Sequence, residues 1–288
     1  MRTDKEIHEL IMKVATEDDR IRAVYMHGSR ANPNVEPDKY SDYDIAFVVT
    51  EINSFINDEN WPHNFGDIAF LFEGYLNQNN FFMKEINDLS RRYVYSMLFK
   101  DGSHIDLIIE IIDEAMCHID IKNKPTIRLL DKDGCLPEIT QVNSSIANVR
   151  KPCEDEYISC CSGFWWFLSY VAKSIARDNF PYAKEQFISY NLLTLNRMMD
   201  WYVGMQTNFS LSIDRKYYKK YLPSEIYNLY MNIYSNSEHS NFWNAIFCTC
   251  KLFSQIAIIV GQYFGFNYNK QEENGMLDYL DKIKSDTL

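Results

Sequence analysis

The apolar pattern of this 288-residue chain changes near its middle, and that change limits the folds open to it. The first half contains short β-rich runs, at 21–27, 44–49, 65–72, 93–99, 104–111 and 126–130. From about Pro152 onward the runs are longer and predict helices, near 154–176, 180–205, 223–235 and 241–264. The pattern predicts an α+β protein, in which a mixed sheet with helices (1–150) precedes an α-helical bundle (151–288).

Local signals support this division. Apolar residues in 4–19 recur at helical spacing, which predicts a helix before the first strand. The Lys100-Asp101-Gly102 turn predicts that the runs on either side of it form a β-hairpin. A polar segment at 140–153 marks the expected domain boundary.

Composition and charge narrow the classes of function. The net charge of -11 argues against a nucleic-acid partner and favours a cationic small molecule, while a local basic cluster and a metal still permit ATP binding. Seven cysteines without regular spacing predict reduced thiols in a cytoplasmic protein. The charged, helix-periodic N-terminus is not that of a signal peptide, and we expect no membrane-spanning run of ~20 apolar residues.

The candidate chemistry lies in HGSRANPNVEPDKYSDYDIAFVV, residues 27–49. Asp42 and Asp44 are two residues apart, so on an extended chain both carboxylates point to one face and can hold Mg²⁺. Asp106 interrupts the apolar run HIDLII, where a carboxylate is costly unless it is paired or metal-bound. If the strands that carry Asp44 and Asp106 are neighbours, the three acids converge.

The Gly28-Ser29 pair precedes the acids by a short loop. Glycine lets a loop backbone approach a ligand closely, and the Ser29 hydroxyl and nearby N–H groups can hold a phosphate oxygen, with Arg30 adding positive charge. Taken singly, Gly-Ser is more often a plain turn, and Asp-x-Asp a helix cap or solvated loop. A phosphate cradle followed by metal-binding acids is nevertheless what nucleotidyl transfer requires.

This conjunction resembles the polymerase-β-like nucleotidyltransferase superfamily. Further stretches narrow the resemblance to the aminoglycoside 6-adenylyltransferases, which modify streptomycin: GSRAN at 28–32, SDYDI at 41–45, HIDL at 104–107, Arg150-Lys151-Pro152, and parts of 160–173 and 201–212. The match extends from Arg2 to about Tyr268. It implies a polymerase-β-like nucleotidyltransferase domain followed by a helical substrate-binding domain.

The resemblance also implies an activity and its residues. AMP would pass from ATP to a hydroxyl of an aminoglycoside, pyrophosphate would be released, and antibiotic resistance would result. The implied metal ligands and catalytic acids are Asp42, Asp44 and Asp106, with Asp106 as third ligand or as base. The implied nucleotide contacts are Gly28, Ser29, Arg30 and Lys173. His27 and His104 flank the acids and are expected to be structural.

The helical half departs from this family. Relatives carry a Glu where this chain has Gly163, and acids where it has Ile158-Ser159. Glu154 and Glu156 are the candidate replacements that would contact a cationic acceptor, although acids in a first helical turn also stabilise the helix dipole. A different acceptor, such as a lincosamide or a sugar, and a non-catalytic nucleotide-binding protein of the same fold are the alternative hypotheses. All three acids are retained, which favours catalysis.

Overall fold

The computed structural model describes residues 1–33, 35–74, 91–119, 125–139, 149–209, 215 and 218–287. The chain divides into two compact units, Met1–Ser144 and Ser145–Leu288, and each has its own hydrophobic core. The boundary predicted at 140–153 falls largely on residues outside the described ranges.

The first unit is built around a six-stranded sheet. Its strands are β1 (Ile21–His27), β2 (Tyr43–Val49), β3 (Ile68–Gly74), β4 (Arg92–Phe99), β5 (His104–Ile111) and β6 (Thr126–Asp131). They are ordered β3-β4-β5-β2-β1-β6, and β2 and β5 run parallel while the other neighbouring pairs are antiparallel. The predicted mixed sheet is therefore confirmed.

Three α-helices accompany the described part of the sheet, α1 (Asp4–Glu17), α2 (Asn53–Ile56) and α3 (Ile112–Ile119). The predicted hairpin of β4 and β5 is confirmed, and the Gly102 N–H donates to the Phe99 carbonyl in its turn at 2.9 Å. The strand predicted at 65–72 begins at Ile68 instead. Residues 61–65 form a 3₁₀ turn that buries Trp61 and Phe65 in the core.

The two faces of the sheet have different partners. One face buries Ile45 of β2 and Leu107 of β5 beneath α1, whose Ile7 and Ile11 belong to the same core. Because strand residues alternate between faces, Asp44 and Asp106 lie on the opposite face. The alternation places both acids on the same side of two adjacent strands.

The described helices of the second unit are α4 (Glu154–Ala176), α5 (Phe180–Gln186), α6 (Leu193–Gln206), α7 (Tyr218–Tyr221), α8 (Ser224–Met231), α9 (His239–Phe264) and α10 (Lys270–Thr287). A π-helical segment, Phe187–Leu192, joins α5 to α6, so the helix predicted at 180–205 is continuous but has a locally wider turn. The helix predicted at 154–176 has those bounds. The sequence pattern missed α2, α3, α7 and α10.

Helix α9 is long and apolar enough to cross a membrane by length and composition, contrary to the expectation from the sequence. Within the second unit, however, 61% of its apolar window is buried. Trp243, Phe253 and Val260 of α9 are part of that unit's core. Such burial is typical of a core helix.

Candidate active site

A row of polar side chains crosses four adjacent strands. The parallel register pairs Asp44 of β2 with Asp106 of β5. The antiparallel registers extend the row at both ends, pairing His27 of β1 with Asp44, and Ser96 of β4 with Asp106. Residues paired in register share a face of the sheet, so the four side chains line one surface. The condition set by the sequence, that the strands of Asp44 and Asp106 be neighbours, is met.

A second acid and a histidine join Asp106 at the same end of these strands. Asp42 immediately precedes β2, and His104 is the first residue of β5. The Nδ1 atom of His104 lies 2.8 Å from Oδ1 of Asp42, and its Nε2 atom lies 3.4 Å from Oδ1 of Asp106. The imidazole ring therefore lies between the two carboxylates.

The ionisation of this cluster follows from its geometry. The hydrogen bond with Asp106 raises the pKa of His104 to about 9 against the opposing effect of burial, and Asp42 adds to the rise. Burial disfavours the charged form of Asp106, but hydrogen bonds with His104 and Ser96 outweigh it and lower the pKa of Asp106. At neutral pH a cationic imidazolium thus separates the carboxylates of Asp42 and Asp106 and offsets their repulsion.

His104 was expected to be a structural histidine, yet it is part of the acid cluster. The signal that could have found it is the strand period of two. His104 lies two residues before Asp106 on one strand, so both side chains share a face. A shared face does not by itself show that the imidazole also reaches Asp42 at the neighbouring strand, which the structure shows at 2.8 Å.

The carboxylate of Asp44 lies against the Gly-Ser turn. Gly28 has φ +83°, and a Cβ atom built on it would stand 2.0 Å from Oδ2 of Asp44. Glycine is needed at this position both for its backbone conformation and for the close approach of the acid. Gly28 and Ser29, two of the predicted nucleotide contacts, are therefore directly beside a predicted metal ligand.

Arg30, the third predicted nucleotide contact, follows in the 3₁₀ turn Ser29–Ala31. Its guanidinium faces the loop that leads into β2, where Nη2 donates to the Ser41 carbonyl at 2.9 Å. A cavity of about 390 Å³ lies among this loop, the N-terminal residues and the turn between β4 and β5. Asp42, His104 and Arg30 contribute to its lining, whereas Asp44 and Asp106 do not.

The remaining predicted site residues lie on α4, in the second unit. Glu156 accepts a hydrogen bond from the Cys153 N–H at 3.0 Å and pairs with Arg150, so it closes a capping box. Glu154 is exposed in the same first turn. Lys173 holds its Nζ atom 4.6 Å from the centroid of the Tyr170 ring. Glu154 and Lys173 are about five turns apart, roughly 28 Å along the helix.

The donor set of the cluster fits a divalent cation. Among the residues that the structure describes, Asp42, His104 and Asp106 form a group whose ligand atoms all lie within 4.8 Å of one another. Two carboxylates suit Mg²⁺, which prefers oxygen, whereas an imidazole nitrogen suits Mn²⁺ or Zn²⁺ better. The ligand atoms of Asp44 are outside this group, although its backbone is paired with that of Asp106.

Comparison with known proteins gives the class of this chain and then its family. A family model described as streptomycin adenylyltransferase matches residues 1–283. The chain is therefore an enzyme, a nucleotidyltransferase. It belongs to the streptomycin adenylyltransferase family.

Individual relatives agree with this assignment. The chain is 29% identical over 276 residues to an aminoglycoside 6-adenylyltransferase of Staphylococcus aureus, covering 95% of this chain and 96% of the relative. It is 29% identical over 285 residues to the enzyme of that name from Bacillus subtilis, covering 98% of both chains. A crystal structure of an aminoglycoside 6-adenyltransferase from Bacillus subtilis aligns over 99% of both chains, with 25% identity and a TM-score of 0.46.

Proposed function

We propose that this enzyme transfers AMP from ATP to a hydroxyl of an aminoglycoside resembling streptomycin, in the cytoplasm and with Mg²⁺, and that it thereby confers resistance. Pyrophosphate is the second product. The observation that carries the proposal is the pairing of Asp44 with Asp106 on adjacent parallel strands, with Asp42 at the same strand ends. The names of the relatives supply the acceptor class.

In this proposal the acids hold the cation and one of them also takes a proton. When bound, Mg²⁺ neutralises charge on the triphosphate and favours loss of pyrophosphate. Asp42, Asp44 and Asp106 are the proposed ligands, and the Gly28 and Ser29 turn holds a phosphate oxygen. Asp106 is the proposed base for the proton of the attacking hydroxyl.

The acceptor and nucleotide contacts from α4 are constrained by its length. We propose Glu154 and Glu156 as contacts for the cationic acceptor and Lys173 as a phosphate contact. Glu156 is already paired with Arg150 and caps the helix, so Glu154 is the more available acid. Both ends of α4 can serve one reaction only if triphosphate and acceptor together extend over roughly 28 Å, less the reach of the side chains.

The decisive experiment measures pyrophosphate release from Mg-ATP with a panel of acceptors: streptomycin, other aminoglycosides, spectinomycin and a lincosamide. We expect release with streptomycin. The variant Asp44→Asn should abolish AMP transfer and weaken metal-dependent ATP binding while leaving the unfolding temperature close to that of the wild type. Asp67→Asn, a change at an exposed acid of the same unit, is the matched control and should retain activity.

Two outcomes would contradict the proposal. Turnover retained in Asp44→Asn would remove that acid from the metal site. No release with any acceptor, while ATP still binds, would favour a non-catalytic nucleotide-binding protein.

A second acceptor class is favoured by one specific observation. Gly163 lies in the middle of α4, and a Cβ atom built there would meet no other atom within 4 Å. The family resemblance implies a Glu at this position, so an acid that could contact a cationic sugar is missing here. Release only with a lincosamide or another sugar would support this alternative.

The space around Gly163 allows the alternative to be tested by addition. Gly163→Glu introduces the missing charge, and Gly163→Gln introduces a side chain of the same size without it. If the missing acid sets acceptor choice, kcat/KM for streptomycin rises in Gly163→Glu and not in Gly163→Gln. An equal response to both variants would show that charge at this position is irrelevant.

A further inference from the structure

We infer that Arg30 is a positioning residue, which holds the backbone of Asp42 in place, and that it is not a direct contact for the triphosphate. The inference rests on the proposed function, since it concerns how the proposed metal-binding acids are presented. It deepens that function because it gives the positively charged residue of the Gly-Ser-Arg turn the role of holding the loop before β2, in place of binding phosphate.

The hydrogen bonds of Arg30 are directed at backbone carbonyls of the loop before β2. Its Nε atom donates to the carbonyls of Ser41 and Asp42, both at 3.2 Å. Its Nη2 atom donates to the Ser41 carbonyl at 2.9 Å and to the Asp38 carbonyl at 3.3 Å. One side chain therefore fixes the loop at the residue whose carboxylate lies beside His104.

The remaining sides of the guanidinium are also occupied. Its Nη1 atom is 3.1 Å from Oδ1 of Asp4, and its Cζ atom lies 3.8 Å from the centroid of the Tyr43 ring. The Tyr43 hydroxyl donates to the same Asp4 oxygen at 2.6 Å, which closes the network. The Arg30 side chain is only 7% exposed, so a phosphate could reach it only by displacing these partners.

The network links three parts of the chain that build the site. Asp4 lies in the first turn of α1, Arg30 in the turn that follows Gly28, and Tyr43 between the two acids of the Asp-x-Asp pair. Loosening it would let the Asp42 carboxylate move relative to Asp106. A planar guanidinium with five donors can satisfy several carbonyls at once, whereas an ammonium on a flexible stem cannot.

The two roles predict different kinetics. A phosphate contact depends on charge, so Arg30→Lys would largely preserve it. Loss of such a contact would raise the KM for ATP, and changes at Asp4 would have no effect. A positioning residue depends on the shape of the guanidinium and on its partners. Arg30→Lys should then lower kcat, and changes at its partners Asp4 and Tyr43 should show a weaker form of the same defect.

The experiment measures kcat, KM for ATP, and binding of Mn²⁺ by electron paramagnetic resonance in Arg30→Lys, Asp4→Asn, Tyr43→Phe and the double variant Asp4→Asn/Arg30→Lys. The control Lys5→Gln removes an exposed cation from α1, where Lys5 pairs with Glu9. We expect Arg30→Lys to weaken Mn²⁺ binding and to lower kcat by about 30- to 100-fold, because displacing a catalytic group by about 1 Å slows a reaction by about that factor. KM for ATP should stay within about threefold.

Non-additivity supplies the sharpest readout. Asp4→Asn alone should lower kcat several-fold, but it should add little in the Arg30→Lys background because both act through one network. An unchanged kcat in Arg30→Lys, with or without a rise in KM for ATP, together with silent Asp4→Asn and Tyr43→Phe variants, would overturn the inference. If Arg30→Lys does not fold, the Asp4→Asn and Tyr43→Phe variants decide alone, since they retain the guanidinium.

The failure of this inference differs from failure of the proposed function. A wild-type enzyme that neither binds Mn²⁺ nor transfers AMP would contradict the proposed function. A wild-type enzyme that does both, with variants that alter only the KM for ATP, would contradict the positioning role alone.

Discussion

Replacing Gly28 with alanine tests whether catalysis can be lost while the fold is retained. A Cβ atom at this position would stand 2.0 Å from Oδ2 of Asp44 and 2.9 Å from its Cγ atom. Because non-bonded heavy atoms rest about 3.5 Å apart, the carboxylate has to move by roughly 1.5 Å. Its neighbour in register, Asp106, lies on the adjacent strand, so the movement changes the spacing of the two acids.

The expected loss can be divided into two parts. The backbone of Gly28, with φ +83° and ψ -153°, is one that an L-residue adopts only at a cost of about 1–3 kcal/mol, and this part lowers stability. Displacement of a catalytic group by about 1 Å costs on the order of 10²-fold in rate. We therefore expect Gly28→Ala to retain its fold with a modestly lower free energy of unfolding, and to transfer AMP at least about 100-fold more slowly.

Gly134 offers a matched control for this experiment. It has φ +63°, and a Cβ atom built there would meet no other atom within 4 Å. Gly134→Ala should therefore show a similar loss of stability, about 1–2 kcal/mol, with its rate unchanged. The assay is pyrophosphate release under saturating Mg-ATP, beside urea unfolding of each variant. Equal rates in Gly28→Ala and Gly134→Ala would refute the claim that the Asp44 carboxylate must lie where glycine allows it.

Three further predictions concern stability alone and are measured by thermal or urea unfolding. Gly163→Ala should raise the free energy of unfolding by about 0.5–1 kcal/mol, because the position is mid-helix and open; a loss of stability would contradict the open space around it. Gly261→Ala should do the opposite by about 1–3 kcal/mol, since its Cβ would stand 2.9 Å from the Phe266 carbonyl oxygen; an unchanged stability would count against this packing. Tyr25→Phe should cost about 1–3 kcal/mol, because the Tyr25 hydroxyl donates to the fully buried carboxylate of Glu110, and a neutral result would show that other donors suffice.

The strands of the first unit could be predicted because their sequence signals are local. The short β-rich run before Gly28 predicted the bounds of β1, and the turn at Gly102 predicted the pairing of β4 with β5. The adjacency of β2 and β5 is different in kind. They are parallel and distant in sequence, so only the chemical expectation that Asp44 and Asp106 belong to one site suggested it.

The elements that sequence analysis missed have weak or mixed signals. Helix α10 has few apolar residues, and Leu280 is the one among them that is fully buried. Charged residues therefore dominate its sequence pattern. The π-helical segment Phe187–Leu192 has the same residue types as its α-helical neighbours. Its extra residue per turn reflects packing with the rest of the unit, such as the bond from Asn191 Nδ2 to the Phe164 carbonyl.

Within the site, residue types were easier to predict than side-chain partners. A basic residue after Gly28 and Ser29 suggests a phosphate contact only if its charge is free to face the ligand. The loop between β1 and β2, however, returns to the sheet with carbonyl groups at Asp38, Ser41 and Asp42 that need donors, and arginine supplies five. Backbone satisfaction and phosphate binding thus compete for the same guanidinium. Sequence spacing cannot decide between them, because the decision depends on how closely the loop passes Arg30.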